Sequence, residues 1–133
     1  AGSAAAATVF ADFDRIEQVL SNLIDNAFRH TPRGGRIELG VRDAGATFFA
    51  LYVRDDGEGV TESDLLHVFD RFYRSSLGDP QMPGAGLGLA ISREIVRAHG
   101  GAIRAAAASG RGAEFAFTLR SAPDDRQDAG SDL

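Results

Sequence analysis

Two asparagines and an arginine recur at helical spacing near the start of the chain: Asn22, Asn26 and Arg29. At about 100° per residue they form one polar stripe along the flank of a helix. Asparagine is a mediocre helix former, so a pair at i and i+4 contributes little to the helix itself. A solvated helix face is the ordinary explanation of such a stripe, but these residue types favour a functional one.

Two glycine-containing stretches offer backbone groups to a ligand. Residues 55–59 (DDGEG) follow an apolar run, and glycines two apart let the backbone approach a flat ligand, with Asp55 at the mouth. Taken alone, this stretch is equally an acidic turn. Residues 84–88 (GAGLG) open a predicted helix, whose free N–H groups favour an anion. They do not match the dinucleotide fingerprint, because a long loop precedes them in place of a strand.

The polar stripe requires a helix over residues 12–32. Asp12 is a suitable N-cap, or Asp14 with Glu17 closing a capping box, and the helix cannot continue through Pro32. The apolar residues recur at i, i+3, i+4 and i+7, which predicts one broad buried face. They are Ile16, Val19, Leu20, Leu23, Ile24, Ala27 and Phe28.

The remaining elements follow from periodicity and turn residues. Residues 36–42 and 47–54 predict an antiparallel hairpin with the second strand more central, and 102–107 with 114–119 predict another. A short helix capped by Thr61 and Asp64 carries apolar residues through position 69. A lid-like loop then spans 70–84, and a helix with Leu89, Ile91, Ile95 and Val96 buried reads to His99, where two glycines end it.

Composition excludes several classes of protein. The 133 residues suit one domain, and the net charge of −5 argues against a nucleic-acid binder. There is no cysteine, which excludes disulfides and thiolate metal sites. All 14 basic residues are arginine, which excludes a Walker loop and a eukaryotic-type protein kinase, since both place a lysine on phosphates. No apolar run approaches the roughly 20 residues that cross a bilayer, and no signal pattern opens the chain.

Together these stretches resemble the ATP-binding catalytic domain of bacterial two-component sensor histidine kinases, in the superfamily of gyrase, mismatch-repair ATPases and a heat-shock chaperone. The motifs occur in the family's order: SNLIDNAFRHTP, DDGEG, VFDRFYR, GAGLGLA and GRG. The resemblance covers residues 8–120, after a small-residue segment or cloning remnant at 1–7 and before an acidic tail at 121–133 that we expect to be disordered. It implies a two-layer α/β sandwich, with a mixed, largely antiparallel sheet of about five strands under three helices.

The resemblance also implies a ligand, Mg²⁺-ATP, and roles for the motif residues. Asn26 holds the Mg²⁺, Asp55 accepts the adenine amino proton, and glycines of the first motif admit the base. Asn22, Arg29 and Arg74 are the catalytic candidates; for Arg74, contact with the γ-phosphate and a surface cation beside Asp70 are equal alternatives. The full nucleotide-binding set is Asn22, Asn26, Arg29, His30, Asp55, Gly57, Gly59, Val60, Phe72, Arg74, Gly84, Gly86, Leu87, Gly88 and Leu89.

Two departures from the family's patterns matter. The family usually has lysine and tyrosine where this chain has Arg29 and His30; arginine keeps the charge. The branches that hydrolyse ATP or phosphorylate serine carry a glutamate at the position of Asn22, where it acts as general base. An amide cannot take up a proton, so Asn22 favours histidine as the phosphoryl acceptor, because neutral imidazole already has a lone pair.

The predicted function is therefore transfer of the γ-phosphoryl group of ATP to a histidine on a separate dimerisation domain of the same kinase. His30, His67 and His99 are each outside the family's acceptor context. A response regulator is the downstream partner, nucleic acid is not a partner, and the isolated domain is expected to be monomeric. The domain is expected to be cytoplasmic, in a parent protein for which an inner-membrane anchor is an open alternative. The alternative functions are an anti-sigma-type serine kinase and a degenerate nucleotide-binding regulatory module.

Overall fold

In the described part of the chain, four antiparallel strands form one sheet, and two helices lie side by side on one of its faces. The structure is a computed structural model, which describes residues 11–73, 87–108 and 111–122. The strands are β1 (Ile37–Asp43), β2 (Phe48–Asp55), β3 (Ile103–Ala107) and β4 (Ala113–Arg120), in the order β1-β2-β4-β3. The helices are α1 (Phe13–His30), α2 (Glu62–Leu65) and α3 (Gly88–Ala98).

The two-layer α/β class and the central place of β2 are confirmed. The sheet itself differs from the prediction: the described residues form four strands, and all three pairings are antiparallel, where about five strands in a mixed sheet were expected. A further strand end was predicted over residues 8–11, of which 8–10 lie outside the described residues. The predictions for Arg74, Gly84, Gly86 and most of the 70–84 loop also fall outside them.

Helix α1 starts at the predicted cap and buries the predicted face. Asp12 has extended backbone, and its Oδ1 accepts the N–H of Arg15 at 3.3 Å. The buried residues are Ile16, Val19, Leu23 and Ala27. Phe28 was predicted to belong to this face but is 67% exposed, because it lies at the edge of the apolar stripe, away from its centre. The helix stops at His30, where Thr31 turns extended before Pro32.

The second helix is shorter than predicted. Thr61 caps it by accepting the N–H of Asp64 at 3.1 Å, but α2 ends at Leu65 and does not reach residue 69. The chain continues in tight turns, with the N–H of His67 bonded to Asp64 and that of Asp70 bonded to His67. Val68 and Phe69 nevertheless reach the main core.

Helix α3 ends as the glycines predict. Gly100 has φ of +78°, and Gly101 donates its N–H to the carbonyl of Val96 at 3.0 Å, which closes the last turn. Ile91 was predicted to be buried but is 37% exposed. Ser92, one residue later, takes the buried position instead and is fully enclosed.

The core lies between the helices and one face of the central strands. Phe115, Phe117 and Leu119 of β4 point to the helices together with Val53 of β2, since directly paired residues share a face. Phe117 has no exposed surface, so truncating it to alanine should destabilise the domain by about 3–5 kcal/mol.

The opposite face of the sheet carries an ionic cluster. Glu114 of β4 accepts two hydrogen bonds from Arg42, at 2.9 and 3.1 Å, and a third from Arg54 at 2.8 Å. The hydrogen bonds from Arg42, foremost, and from Arg54 lower the pKa of Glu114 from its ordinary value. Both guanidinium groups also lie over the ring of Tyr52.

In the part of the chain that the structure describes, no helix has the length and apolar character needed to cross a membrane.

Candidate functional site

The polar stripe of α1 faces the beginning of α3. The Nδ2 atom of Asn22 donates to the carbonyl oxygen of Gly88 at 3.0 Å and to Oγ of Ser92 at 3.1 Å. Asn26, one turn later, is half-buried on the same flank, and Arg29 is exposed. The stripe therefore runs from a contact with α3 towards the C-terminal end of α1.

Asp55 is a buried carboxylate at the end of β2. Its side chain belongs to a residue that is only 3% exposed, and its Oδ1 accepts the N–H of Gly57 at 2.9 Å. The carboxylate thus orders its own loop. A buried charged group at a strand end, beside glycine backbone, is the kind of polar group that fixes the orientation of a ligand.

Neighbouring elements hold the loop over residues 55–59 from two sides. Asp56 accepts the N–H of Arg36 on its Oδ1 at 2.8 Å and donates its own N–H to the carbonyl of Arg36 at 3.2 Å, which ties the loop to the start of β1. Glu58 lies 3.1 Å from Nδ1 of His30, the last residue of α1. The C-terminal end of α1 and the loop therefore form one corner of the domain.

The turn between β3 and β4 holds the loop from a third side. Nε of Arg111 donates to the carbonyl oxygen of Gly57 at 3.0 Å. Gly112 has φ of +101°, and a Cβ atom there would lie 1.8 Å from the carbonyl oxygen of Asp55. A side chain at Gly57 would meet the carbonyl oxygen of His30 at 2.0 Å. Glycine is needed at both positions because backbone approaches backbone.

The other predicted residues of the first glycine motif lie in the same corner. Gly59 has φ of +85°, and its nearest neighbour is the carbonyl oxygen of Gly112, 3.3 Å from the place of a Cβ. Val60 is half-buried and packs against the core. The motif therefore brings glycine backbone close to Asp55 and is followed by an apolar side chain that packs against the core.

The start of α3 presents backbone amides. Leu87 is the N-cap residue, and no side chain of the described part of the chain caps this end. Gly88 and Leu89 form the first turn, and Leu89 packs against the core. The N–H groups of a first turn have no partners within the helix, so this end favours a negative charge. Gly84 and Gly86 lie outside the described residues.

The end of the phenylalanine motif has an unusual backbone. Phe72 has φ of +63° and is 67% exposed. The next residue, Tyr73, donates its hydroxyl hydrogen to the buried carboxylate of Asp64. This hydrogen bond is the main cause of the raised pKa of Tyr73. The Tyr73 contact anchors the chain immediately before Arg74, which lies outside the described residues.

Helix α1 connects the two halves of the site. Asn22 contacts the start of α3, and His30 contacts the Asp55 loop. Asn22 and His30 are eight positions apart, which corresponds to about 12 Å along the helix axis. The arrangement is an elongated site, with a buried carboxylate and glycine backbone at one end and uncapped helix amides with two asparagines at the other.

Sequence reasoning missed two residues that shape this site, Ser92 and Arg111. Ser92 occupies an apolar position of the α3 pattern, and a serine there is the one signal that pointed to it. Arg111 lies inside the GRG turn, whose glycines drew attention but whose arginine gave no sign of its distant acceptor. Among the described residues, no group of three or more His, Cys, Asp or Glu side chains is arranged to hold a metal ion.

Comparison with known proteins identifies the family. The family model described as "Histidine kinase-, DNA gyrase B-, and HSP90-like ATPase" matches residues 11–123. The chain belongs to this family. The resemblance predicted from the five motifs is thereby confirmed.

Similar members of the family include sensor histidine kinase WalK of Bacillus subtilis (strain 168), 43% identical over 111 residues, which are 81% of this chain and 18% of WalK. Adaptive-response sensory kinase SasA of Synechococcus sp. (strain JA-2-3B'a(2-13)) is 43% identical over 112 residues, which are 84% of this chain and 29% of SasA. The chain spans less than a third of the length of these curated relatives.

Solved structures of histidine kinases share the fold. The mycobacterial sensor histidine kinase MprB matches with a TM-score of 0.81 at 32% identity, over 87% of this chain and 78% of that one. Full-length ShkA in complex with AMPPNP matches with a TM-score of 0.75 at 32% identity, over 89% of this chain and 24% of that one.

Proposed function

We propose that this chain binds Mg²⁺-ATP and donates the γ-phosphoryl group to a histidine on a separate dimerisation domain, as part of a two-component sensor kinase. The observation that carries the proposal is the elongated site itself, with the buried Asp55 at one end and the uncapped start of α3 at the other. A nucleoside triphosphate has the matching shape, with a flat base at one end and a polyanion at the other. Family membership, and relatives named as sensor histidine kinases, support the same conclusion.

At the base end, Asp55 accepts a hydrogen bond from the amino group of adenine. Guanine presents a carbonyl oxygen at the corresponding ring position, which a carboxylate repels. Gly57 and Gly59 give the base access to the backbone, and Val60 supplies apolar contact to the ring. His30 lies beside this loop through Glu58, so it reaches the nucleotide near the base end.

At the phosphate end, the amides of the first turn of α3 meet the polyanion. Arg29 is further along α1, next to His30, so its long side chain reaches towards the phosphates from the flank of that helix. Leu87, Gly88 and Leu89 supply this turn, and Gly84, Gly86, Phe72 and Arg74 complete the proposed set. The amide oxygen of Asn26 is a suitable ligand for Mg²⁺, which takes its other ligands from phosphate and water. The ion, when bound, neutralises charge that develops on the phosphate oxygens.

Phosphoryl transfer to histidine requires no general base in this chain. A lone pair of a neutral imidazole nitrogen forms the new N–P bond while the bond between the γ-phosphorus and its bridging oxygen breaks, and ADP leaves with that electron pair. The residue at the position of the superfamily's glutamate is Asn22, whose amide donates to α3. We assign to Arg29 and Arg74 the stabilisation of charge on the transferred group. The phosphorylated domain then passes the group to a response regulator.

The test is transfer in trans. The purified chain, incubated with radioactive ATP and Mg²⁺, should remain unlabelled, because the acceptor is on another domain. Addition of the parent kinase's helical dimerisation domain should give acid-labile label on that domain. Asp55→Asn and Asn26→Ala should each lower the labelling rate by about tenfold or more.

Three outcomes contradict the proposal in different ways. Acid-stable label on a serine of a partner protein indicates a serine kinase. Tight binding of Mg²⁺-ATP without any transfer indicates a regulatory nucleotide-binding module. Absence of nucleotide binding by the unmutated chain overturns the site as a whole.

A further inference from the structure

Three polar groups form a half-buried cluster where α1 meets the start of α3. Asn22 donates from Nδ2 to the carbonyl oxygen of Gly88 at 3.0 Å and to Oγ of Ser92 at 3.1 Å. The hydroxyl of Ser92 donates to the same carbonyl oxygen at 2.8 Å. Ser92 has no exposed surface, so water does not substitute for these contacts.

The side-chain donors of the cluster all have acceptors within reach. The amide nitrogen of Asn22 carries two N–H groups and lies within hydrogen-bond distance of two acceptors on α3. A serine hydroxyl donates one hydrogen bond and accepts others, and here it does both. The carbonyl oxygen of Gly88 receives two side-chain donors. If the amide of Asn22 were rotated by half a turn, its own oxygen would face that carbonyl, so the cluster admits one orientation.

Helix stability alone does not explain Ser92. A serine that bonds to the carbonyl four residues earlier slightly destabilises a helix, and it occupies an apolar position of the α3 pattern. Ser92 also contacts Asn22, which lies on the proposed catalytic flank of α1, and this contact suggests a role in the site. The cluster joins that flank to the helix end that we assign to the phosphates.

We propose that Ser92 is a positioning residue for phosphoryl transfer, which with Asn22 holds the start of α3 in register with Asn26. The inference rests on the proposed function. Asn26 follows Asn22 by one helical turn on the same flank, so the contact that fixes Asn22 against Gly88 also fixes Asn26 relative to the α3 amides. Ser92 touches no reacting atom and acts through the Gly88 carbonyl.

Substitution of Ser92 by alanine removes the hydroxyl and leaves one N–H of Asn22 without an acceptor. Ser21→Ala is the matched control, since Ser21 is adjacent to Asn22 in sequence but exposed on α1. Both variants are assayed for Mg²⁺-ADP binding by calorimetry and for phosphoryl transfer to the dimerisation domain at saturating ATP. ADP binding serves as the check that each variant is folded.

Ser92→Ala leaves the base end of the site intact and ADP lacks the γ-phosphate, so ADP affinity should stay within about twofold of the parent. The transfer rate at saturation should fall about tenfold through misalignment of the γ-phosphate. Ser21→Ala should match the parent in both assays. In a double-mutant cycle, Asn22→Ala and Ser92→Ala should be clearly non-additive, because both act on one carbonyl.

Two results overturn the positioning role. The first is a Ser92→Ala variant that binds ADP and transfers at the rate of Ser21→Ala. The second is full additivity with Asn22→Ala. A parent chain that binds ADP but transfers no phosphoryl group overturns the proposed kinase function, and with it the role of Ser92 in transfer; hydrogen exchange of the first turn of α3 then shows whether the cluster orders that turn at all.

Discussion

A methyl group added at Gly57 should damage the site more than the fold. The Cβ of an alanine would lie 2.0 Å from the carbonyl oxygen of His30 and 2.8 Å from its carbonyl carbon. Both are backbone atoms at the C-terminal end of α1, so no side chain can rotate away. The loop and the helix end must separate.

The size of the effect follows from that geometry. Real Cβ atoms essentially never approach another heavy atom to less than 3.0 Å, so the contact of 2.0 Å must open by at least about 1 Å. Overpacking of this kind destabilises proteins by typically 1–3 kcal/mol, and we expect about 3 kcal/mol because both partners are backbone. A displacement of about 1 Å at a site can lower activity by about 100-fold. The same movement shifts Asp55, which is bonded to the N–H of Gly57.

Gly45→Ala is the comparison in which a glycine is replaced without a steric clash. Gly45 has φ of +104° and nothing within 4 Å of the place of its Cβ, so alanine there introduces strain without a clash. We expect a loss of about 1–2 kcal/mol for the control and unchanged nucleotide affinity. Urea unfolding gives the two stabilities, and calorimetry with Mg²⁺-ADP gives the affinities. If Gly57→Ala unfolds like the control and binds Mg²⁺-ADP like the parent, the close approach of the loop to α1 does not shape the site.

Two further predictions concern single side chains. Arg111→Met should weaken Mg²⁺-ADP binding by about threefold to tenfold in calorimetry, because the Gly57 carbonyl loses a charge-assisted hydrogen bond. Arg104→Met, at an exposed position of β3, should leave the affinity unchanged. Equal affinities of the two variants would show that Arg111 does not support the loop. Glu114→Gln should lower the free energy of unfolding at pH 7 and flatten its decline in acid. The native pKa of Glu114 lies below the ordinary value of 4.5, so its contribution is present above pH 4.5 and disappears as the pH falls through the native pKa. Parallel acid limbs in urea titrations of parent and variant would contradict this sign.

Local sequence patterns predicted those features whose physical cause lies in neighbouring residues. The cap at Asp12, the period of α1 and the glycine stop after His99 each depend on a few neighbouring residues, and the structure has them where the sequence predicts them. Periodicity also identified the buried direction of both long helices. Periodicity did not show how much of each helix the rest of the domain covers, so Phe28 and Ile91 were predicted to be buried and are exposed.

Contacts between segments that are distant in the chain could not be predicted from the sequence alone. The hydrogen bond between Asn22 and Ser92 joins residues 70 positions apart, and that between Arg111 and Gly57 joins residues 54 apart. Nothing in the local pattern of either partner specifies the other. The motifs predicted which residues to assign to the site, and the packing of α1 against α3 and of the GRG turn against the Asp55 loop brings several of them together.

Asp55 is the residue on which the proposed nucleotide site depends most directly. Calorimetry of the parent chain and of Asp55→Asn with Mg²⁺-ATP and Mg²⁺-GTP tests it in one experiment. The parent should bind ATP at least about tenfold more tightly than GTP, because the carboxylate pairs with the adenine amino group and faces a carbonyl oxygen in guanine. In Asp55→Asn the affinity for ATP should fall and the preference should shrink, since an amide can also donate to guanine. Equal affinity of the parent for both nucleotides, or an unchanged preference in Asp55→Asn, would contradict the assignment of the nucleotide site.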